Sequence, residues 1–212
     1  MEYVDFIVSA LGKPTFFVFG NHNLEEFHFY EKNNDSMKEE QTQNVGHGAD
    51  YVSGRVLRPR YLKFTNKEGK TTPLLIAGVS GSLRYNNGKC QYTESQMKRK
   101  LFKLLPQLLW NKIRYGRYLD ILLTHASPRH IHDREDQCHK GFECFNTFMK
   151  KFKPALLVHG HIHLYDLQAQ RVTEAGQTTV VNAYSRVIIN MEADFNGKGE
   201  NFVKNITVST NR

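Results

Sequence analysis

The stretch LLVHGHIHLYD, residues 156–166, places three histidines within five positions directly behind an apolar run. A short apolar run bounded by turn chemistry suits a strand buried on both faces. Its end is where the chain leaves the sheet, and in open α/β sheets ligands bind outside the carboxyl ends of the strands. Imidazoles gathered at such a point suit a metal ion, because neutral imidazole binds Zn, Mn, Fe and Ni well. On an alternating backbone His161 and His163 point one way and Ile162 the other. Gly160 just ahead of them removes a Cβ where the backbone passes close to that centre.

The same pattern recurs outward from this block. PTFFVFG (14–20), PLLIAGV (73–79), YLDILLTH (118–125) and KPALLVHG (153–160) all read as short buried strands. His125 follows DILLT, and Asn21 and His22 follow TFFVFG with Gly20 ahead of them. Seven of the ten histidines lie between His125 and His163. A lone histidine at a strand end is usually just a satisfied polar group. Three such groups at three strand ends point to a site for a metal or a phosphate. TTVVNAYSRVIINME (178–192) and NFVKNITVS (201–209) read as strands with one wetter face, with Asn196-Gly197 as a hairpin signal between them. Thr93-Glu94-Ser95-Gln96 is a capping box that opens a helix, and Pro106 is expected to end or kink it before a second piece through Leu108, Leu109 and Ile113. A third helix is expected over Phe142–Phe152, stopping before Pro154. Residues 31–55 are polar and without apolar period, and read as a mobile loop over a site. The class is α/β, in one domain spanning residues 1–212.

Composition narrows the function. With 212 residues, 40% of them hydrophobic, the chain can bury one sizeable core. No apolar run reaches the ~20 residues needed for a membrane span, and residues 1–14 carry no secretory pattern. Three cysteines without a CxxC spacing fit reduced thiols and a cytoplasmic location. The Asn205-Ile-Thr pattern then carries no glycosylation. A net charge of +8 attracts anions: phosphorylated substrates, nucleic acid, acidic lipid. Lys98, Arg99, Lys100 and Lys103 read as the solvated face of a helix. No stacked-aromatic or groove-reading motif supports a nucleic-acid partner.

Three blocks together carry a resemblance. Phe19-Gly20-Asn21-His22-Asn23, Leu123-Thr124-His125-Ala126 and Gly160-His161-Ile162-His163, in this order, resemble the calcineurin-like metallophosphoesterase family. That family's pattern runs D-x-H, G-D, G-N-H followed by Asp or Glu, a lone His, and G-H-x-H, and its last three blocks are present here. The resemblance implies a sandwich of αββα layers lacking its first strands. It implies that Asn21, His125 and His161 are ligands of a second metal, that His163 is a ligand of a first, and that His22 is the catalytic histidine near the scissile phosphate. Implied with them are two divalent ions (Mn, Fe or Zn) and hydrolysis of a phosphate mono- or diester.

The pattern also breaks. No D-x-H and no G-D precede Asn21, and Asp5 lies in VDFIVSAL, which reads as helix and supplies no ligand. The first ion would keep only His163, and the carboxylate that bridges two ions ~3.5–4 Å apart is missing. Asn23 stands where the family has an acid. PTFFVFG is left beside an unpaired edge. Two expectations follow. One is an enzyme whose Met1 is an internal methionine of a longer chain, acting on a phosphorylated substrate. The other is a degenerate fold, holding one ion or none, that serves as a binding or scaffold protein with a protein partner. Other residues are candidates only. Arg129 and His130 are candidates for a substrate phosphate, against a plain surface turn. His47 is a candidate contact from the loop. His132, Asp133, Asp136 and His139 form a polar cluster that matches no established metal spacing and reads as a solvated loop.

Overall fold

The computed structural model describes residues 2–22, 27, 48–166, 169–195 and 203–209. In chain order the elements are α1 (Glu2–Leu11), β1 (Thr15–Phe17), β2 (Ala49–Tyr51), β3 (Val56–Leu57), β4 (Lys63–Thr65), β5 (Thr71–Pro73), β6 (Ile76–Val79), β7 (Ser82–Leu83) and β8 (Gln91–Tyr92). There follow α2 (Glu94–Phe102), α3 (Leu105–Tyr115), β9 (Ile121–Thr124), α4 (Glu143–Phe152), β10 (Leu156–His159), β11 (Val172–Ala175), β12 (Thr178–Asn182), β13 (Ile188–Asp194) and β14 (Val203–Ser209).

A six-stranded sheet in the order β11-β12-β10-β9-β6-β3 forms the centre. Its four inner strands are parallel, and the edge strands β3 and β11 run antiparallel to their neighbours. Every residue of β6 and of β12 is buried, as continuous apolar runs in a doubly covered sheet require. One face carries the helices: Met97, Leu101, Leu104 and Leu108 from α2 and α3 join Phe145, Phe148 and Phe152 of α4 over Leu122, Leu157 and Val180. The other face carries the β13–β14 hairpin, whose Ile189, Met191, Ile206 and Val208 pack on Leu156 and Val181. The result is a mixed α/β sandwich, with helices outside one face of the sheet and a second β layer against the other. Among the described residues no helix is long and apolar enough to cross a membrane.

Local chemistry explains most boundaries. The capping box is complete: Thr93 Oγ1 accepts from Gln96 N, and Gln96 Oε1 accepts from Thr93 N at 2.9 Å. The helix breaks at Lys103–Leu104, ahead of Pro106, which sits in the first turn of α3, where no N–H is missed. α4 ends in a left-handed Lys153 before Pro154. The segment 178–192 is two strands, not one. β12 is wholly buried, Ser185 turns the chain at φ 65°, and β13 then alternates. β13 pairs antiparallel with β14, while Asn196-Gly197 lie outside the described residues.

The mobile loop expected over 31–55 needs correction at its end. Residues 31–47 are outside the described residues, but Ala49–Tyr51 form a strand parallel to β1. The edge of PTFFVFG is therefore paired. Tyr51 packs its ring 5.4 Å from those of both Phe17 and Phe19, and Val52 is fully buried. Two apolar residues in a polar run are too few to show a period, yet enough to seat a three-residue strand.

One buried carboxylate ties the base of the sheet. Asp120 accepts from Arg117 Nε at 2.7 Å and Nη2 at 2.9 Å, and from Leu75 N at 2.9 Å. Arg117 also donates to Thr72 Oγ1 and Pro73 O. Removing one partner of a buried pair leaves the other charge uncompensated. Asp120→Ala is expected to lower stability by about 3–5 kcal/mol, and Thr72→Val by only about 1 kcal/mol. Urea unfolding followed by circular dichroism checks both, and an unchanged Asp120→Ala midpoint would refute the tie.

Candidate functional site

Two parallel neighbours, β9 and β10, deliver His125 and His161 at their carboxyl ends. Gly160 N donates to His125 O at 3.1 Å and so locks the two strand exits together. The third contribution arrives beside β6. Phe19 N donates to Ser80 Oγ and Gly81 N donates to Phe19 O, which lays Gly20 and Asn21 along the end of that strand. Gly20 is required there: a Cβ at this position would lie 2.6 Å from His125 Cε1 and 2.9 Å from its Nδ1. The role expected of Gly160 is not found, since nothing lies within 4 Å of where its Cβ would be.

Three donor atoms converge. His125 Nε2 lies 3.0 Å from Asn21 Oδ1 and 3.0 Å from His161 Nδ1. The neighbours fix which atoms carry protons. His161 Nε2 is 2.8 Å from Cys138 O, an acceptor, so Nε2 bears the hydrogen and Nδ1 presents a lone pair. The Asn21 amide donates through Nδ2 to the Tyr85 hydroxyl at 2.9 Å, which turns Oδ1 toward His125. A single His125 Nε2–H therefore sits between two acceptors. Burial pushes His125 down to about 3, helped by the charges of His161, His22, His159 and His163. Burial likewise lowers His161. Both rings are neutral near pH 7, as metal ligands must be.

The remaining predicted residues are placed differently. His22 is exposed beside Asn21, close enough for its charge to depress both His125 and His161. His163 does not join the convergent atoms: its Nδ1 lies 3.0 Å from the Tyr165 hydroxyl, and its ring stacks on Tyr184 at 4.7 Å. The expected alternation fails here because the backbone turns. His161 adopts φ 64°, and Ile162 N donates to Gly160 O at 2.7 Å. Asn23 and His47 lie outside the described residues, as does the side chain of Asp5. Arg129 is tied to Asp133 at 2.6 Å and to both oxygens of Glu135, so its guanidinium serves the turn and not a phosphate. His130 lies 4.0 Å from Glu135 and 3.9 Å from Glu143.

The cluster at 132–139 splits. Asp133 holds Arg129 and Gly141 N, and Asp136 holds His139 at 2.7 Å. Among the described residues no group of three or more His, Cys, Asp or Glu side chains could hold a metal. His132 instead reaches a residue that sequence reasoning left without a role, the buried His159. His159 Nδ1 donates to Gly160 O at 2.9 Å, which leaves Nε2 to accept from His132 Nδ1 at 3.0 Å. His132 Nε2 then accepts from Thr173 Oγ1 at 2.9 Å, and Thr173 accepts from Gln170 Nε2. This one-directional chain holds the carbonyl just before His161. Its only sequence signal was His159 in the HGH block.

A family model described as calcineurin-like phosphoesterase matches residues 1–165. No curated protein matches the sequence. One solved crystal structure superposes with a TM-score of 0.55 and 18% identity, over 98% of this chain and 71% of the other. The crystal structure of TT1561 of Thermus thermophilus does so with a TM-score of 0.50 and 18% identity, over 84% of this chain and 66% of that one. At these identities the likeness is one of fold.

Two outcomes are expected. Gly20→Ala displaces the His125 ring and shifts its imidazole nitrogen resonances, whereas Gly160→Ala leaves them in place. The second concerns pH. Burial holds His159 at about 3, against 6.5 for a free imidazole, so below pH 6.5 the unfolded chain binds more protons than the folded one. Stability is full above pH 6.5 and falls as pH drops toward 3. In chelator-treated protein the urea midpoint should decline through that window, with a shallower slope in His159→Gln.

Proposed function

Because the chain belongs to the calcineurin-like phosphoesterase family, we propose that it hydrolyses a phosphate mono- or diester with a divalent cation held by Asn21, His125 and His161. The observation that carries this reading is that Asn21 Oδ1 and His161 Nδ1 each lie 3.0 Å from His125 Nε2. Donors ~2.1 Å from one ion and at right angles about it lie ~3.0 Å apart, so the set fits a single cation that takes the place of the shared His125 proton. Such N and O donors suit Mn, Fe or Zn.

A second ion does not fit the described residues. His163 is engaged by Tyr165 and Tyr184, and no carboxylate faces the convergent atoms, so no step is derived through a two-ion centre. When bound, the single cation supplies Lewis-acid neutralisation of the phosphate oxygens and acidifies water. The chain's own residues do the rest. Tyr85 and the Cys138 carbonyl hold the donor atoms of Asn21 and His161 in place. In this reading the exposed His22 moves a proton to the leaving oxygen. The net charge of +8 draws anionic substrate. Three free cysteines, with Cys138 exposed, support a cytoplasmic location.

A second reading is favoured by the carboxylate-free donor set: a binding or scaffold protein on the same fold, with one ion or none and a protein partner. The two are separated by assaying p-nitrophenyl phosphate and bis(p-nitrophenyl) phosphate with Mn²⁺ or Zn²⁺, alongside calorimetric metal titration. The enzyme reading expects about one ion per chain. It expects affinity lowered at least about tenfold in His125→Ala or His161→Ala, and turnover lowered by about 10²–10⁴ in His22→Gln. Metal bound without turnover of either ester supports the scaffold. No metal bound removes the ion from both.

A further inference from the structure

The helix pair α2–α3 buries one side and exposes the wrong chemistry on the other. Leu104, Leu108 and Asn111 face the core. On the opposite side of α3, half a turn of the helical wheel away, stand Leu109 (53% exposed), Trp110 (57%) and Ile113 (82%), with Phe102 (69%) from the end of α2. A solvated outer face would carry polar residues there. The helix cannot roll to bury this stripe, because Asn111 is pinned from both sides. Its Oδ1 accepts from Arg58 Nε at 2.6 Å, and its Nδ2 donates to Tyr118 O at 2.8 Å.

Charge frames the stripe. Between Glu94 and Asp120 the sequence holds Lys98, Arg99, Lys100, Lys103, Lys112, Arg114 and Arg117 and no acidic residue. Of these, Arg117 is buried against Asp120, while Lys98, Arg99, Lys103, Lys112 and Arg114 are exposed. Lys112 and Arg114 fall on opposite flanks of the Leu109–Trp110–Ile113 stripe. An apolar crest with cations along both sides and an indole among them is the pattern of a helix lying in the plane of a membrane surface. Nucleic acid would use the cations and leave Ile113 and Leu109 without a purpose. We propose that this face of α2–α3 docks on an anionic lipid bilayer, with the crest below the headgroups and Lys and Arg at headgroup level.

Trp110 is the only tryptophan, so its emission reports the face directly. The full chain is titrated with vesicles of phosphatidylcholine alone and of phosphatidylcholine with phosphatidylserine. A blue shift and co-sedimentation are expected with the serine lipid only, and should be lost at ~1 M salt. Lys112→Glu/Arg114→Glu should weaken binding by at least about 25-fold, at roughly fivefold per cation removed. Ile113→Asp should abolish it while the far-ultraviolet spectrum and urea midpoint stay unchanged. Lys13→Glu/Lys89→Glu makes the same change in net charge elsewhere on the surface and should leave binding nearly intact. Equal loss in that control, equal binding to neutral vesicles, or no shift with either would overturn the proposal. So would an emission already blue without lipid in a chain of doubled mass, which would mean a second copy covers the face.

Discussion

Asp120 sets the register on which the rest of the molecule depends. Its carboxylate holds Leu75 N and Arg117, its own N–H donates to Leu75 O, and its carbonyl accepts from Leu156 N at 3.0 Å. One residue thus fixes the relative heights of β6, β9 and β10 at their amino ends. Parallel strands that start level finish level, so Ser80, His125 and Gly160 leave the sheet together. A slip of one residue in any of the three would turn its side chains to the other face and separate the donors. The apolar packing on both sides gives the sheet its stability, but the buried ion pair gives it alignment. That is the role in which buried charge is best attested.

What the chain brings together at the strand ends is a set of lone pairs that a proton can hold in the absence of anything else. His125 Nε2–H between Asn21 Oδ1 and His161 Nδ1 satisfies all three groups without a ligand. To accept a cation in place of that proton, the neutral His125 ring must first move its hydrogen off Nε2. The acid that distinguishes a two-ion centre has no counterpart near these atoms among the described residues. Positioning comes instead from neutral groups: a tyrosine hydroxyl, two backbone carbonyls and the His132–His159 pair.

The strand ends were legible because they rest on composition alone, an apolar run followed by Asn or His. The capping box was legible because it is local, with both of its bonds within four residues. Other features depend on distant partners and left little trace. Ala49–Tyr51 became a strand because Phe17 and Phe19 offered ring surface to Tyr51, and nothing in a polar stretch announces that. Arg129 looked available for phosphate until Asp133 and Glu135 folded back onto it. His163 matches the family pattern in sequence but is turned by the left-handed His161 into the company of Tyr165 and Tyr184. Alternation assumes an extended backbone, and the backbone here is a turn. The basic residues of α2 read as a solvated face, and Leu109 and Ile113 of α3 were grouped with the buried Leu108 although they stand on the opposite side.

The convergence at His125 has a consequence for how the molecule is made. Asn21 and His125 are 104 residues apart, and His161 follows His125 by a further 36. Closing so wide a loop is costly before the intervening sheet exists to reward it. During synthesis the amino-terminal half emerges with Asn21 but without His125 or His161. The donor set is thereby completed only when the exit of β10 has been laid beside that of β9.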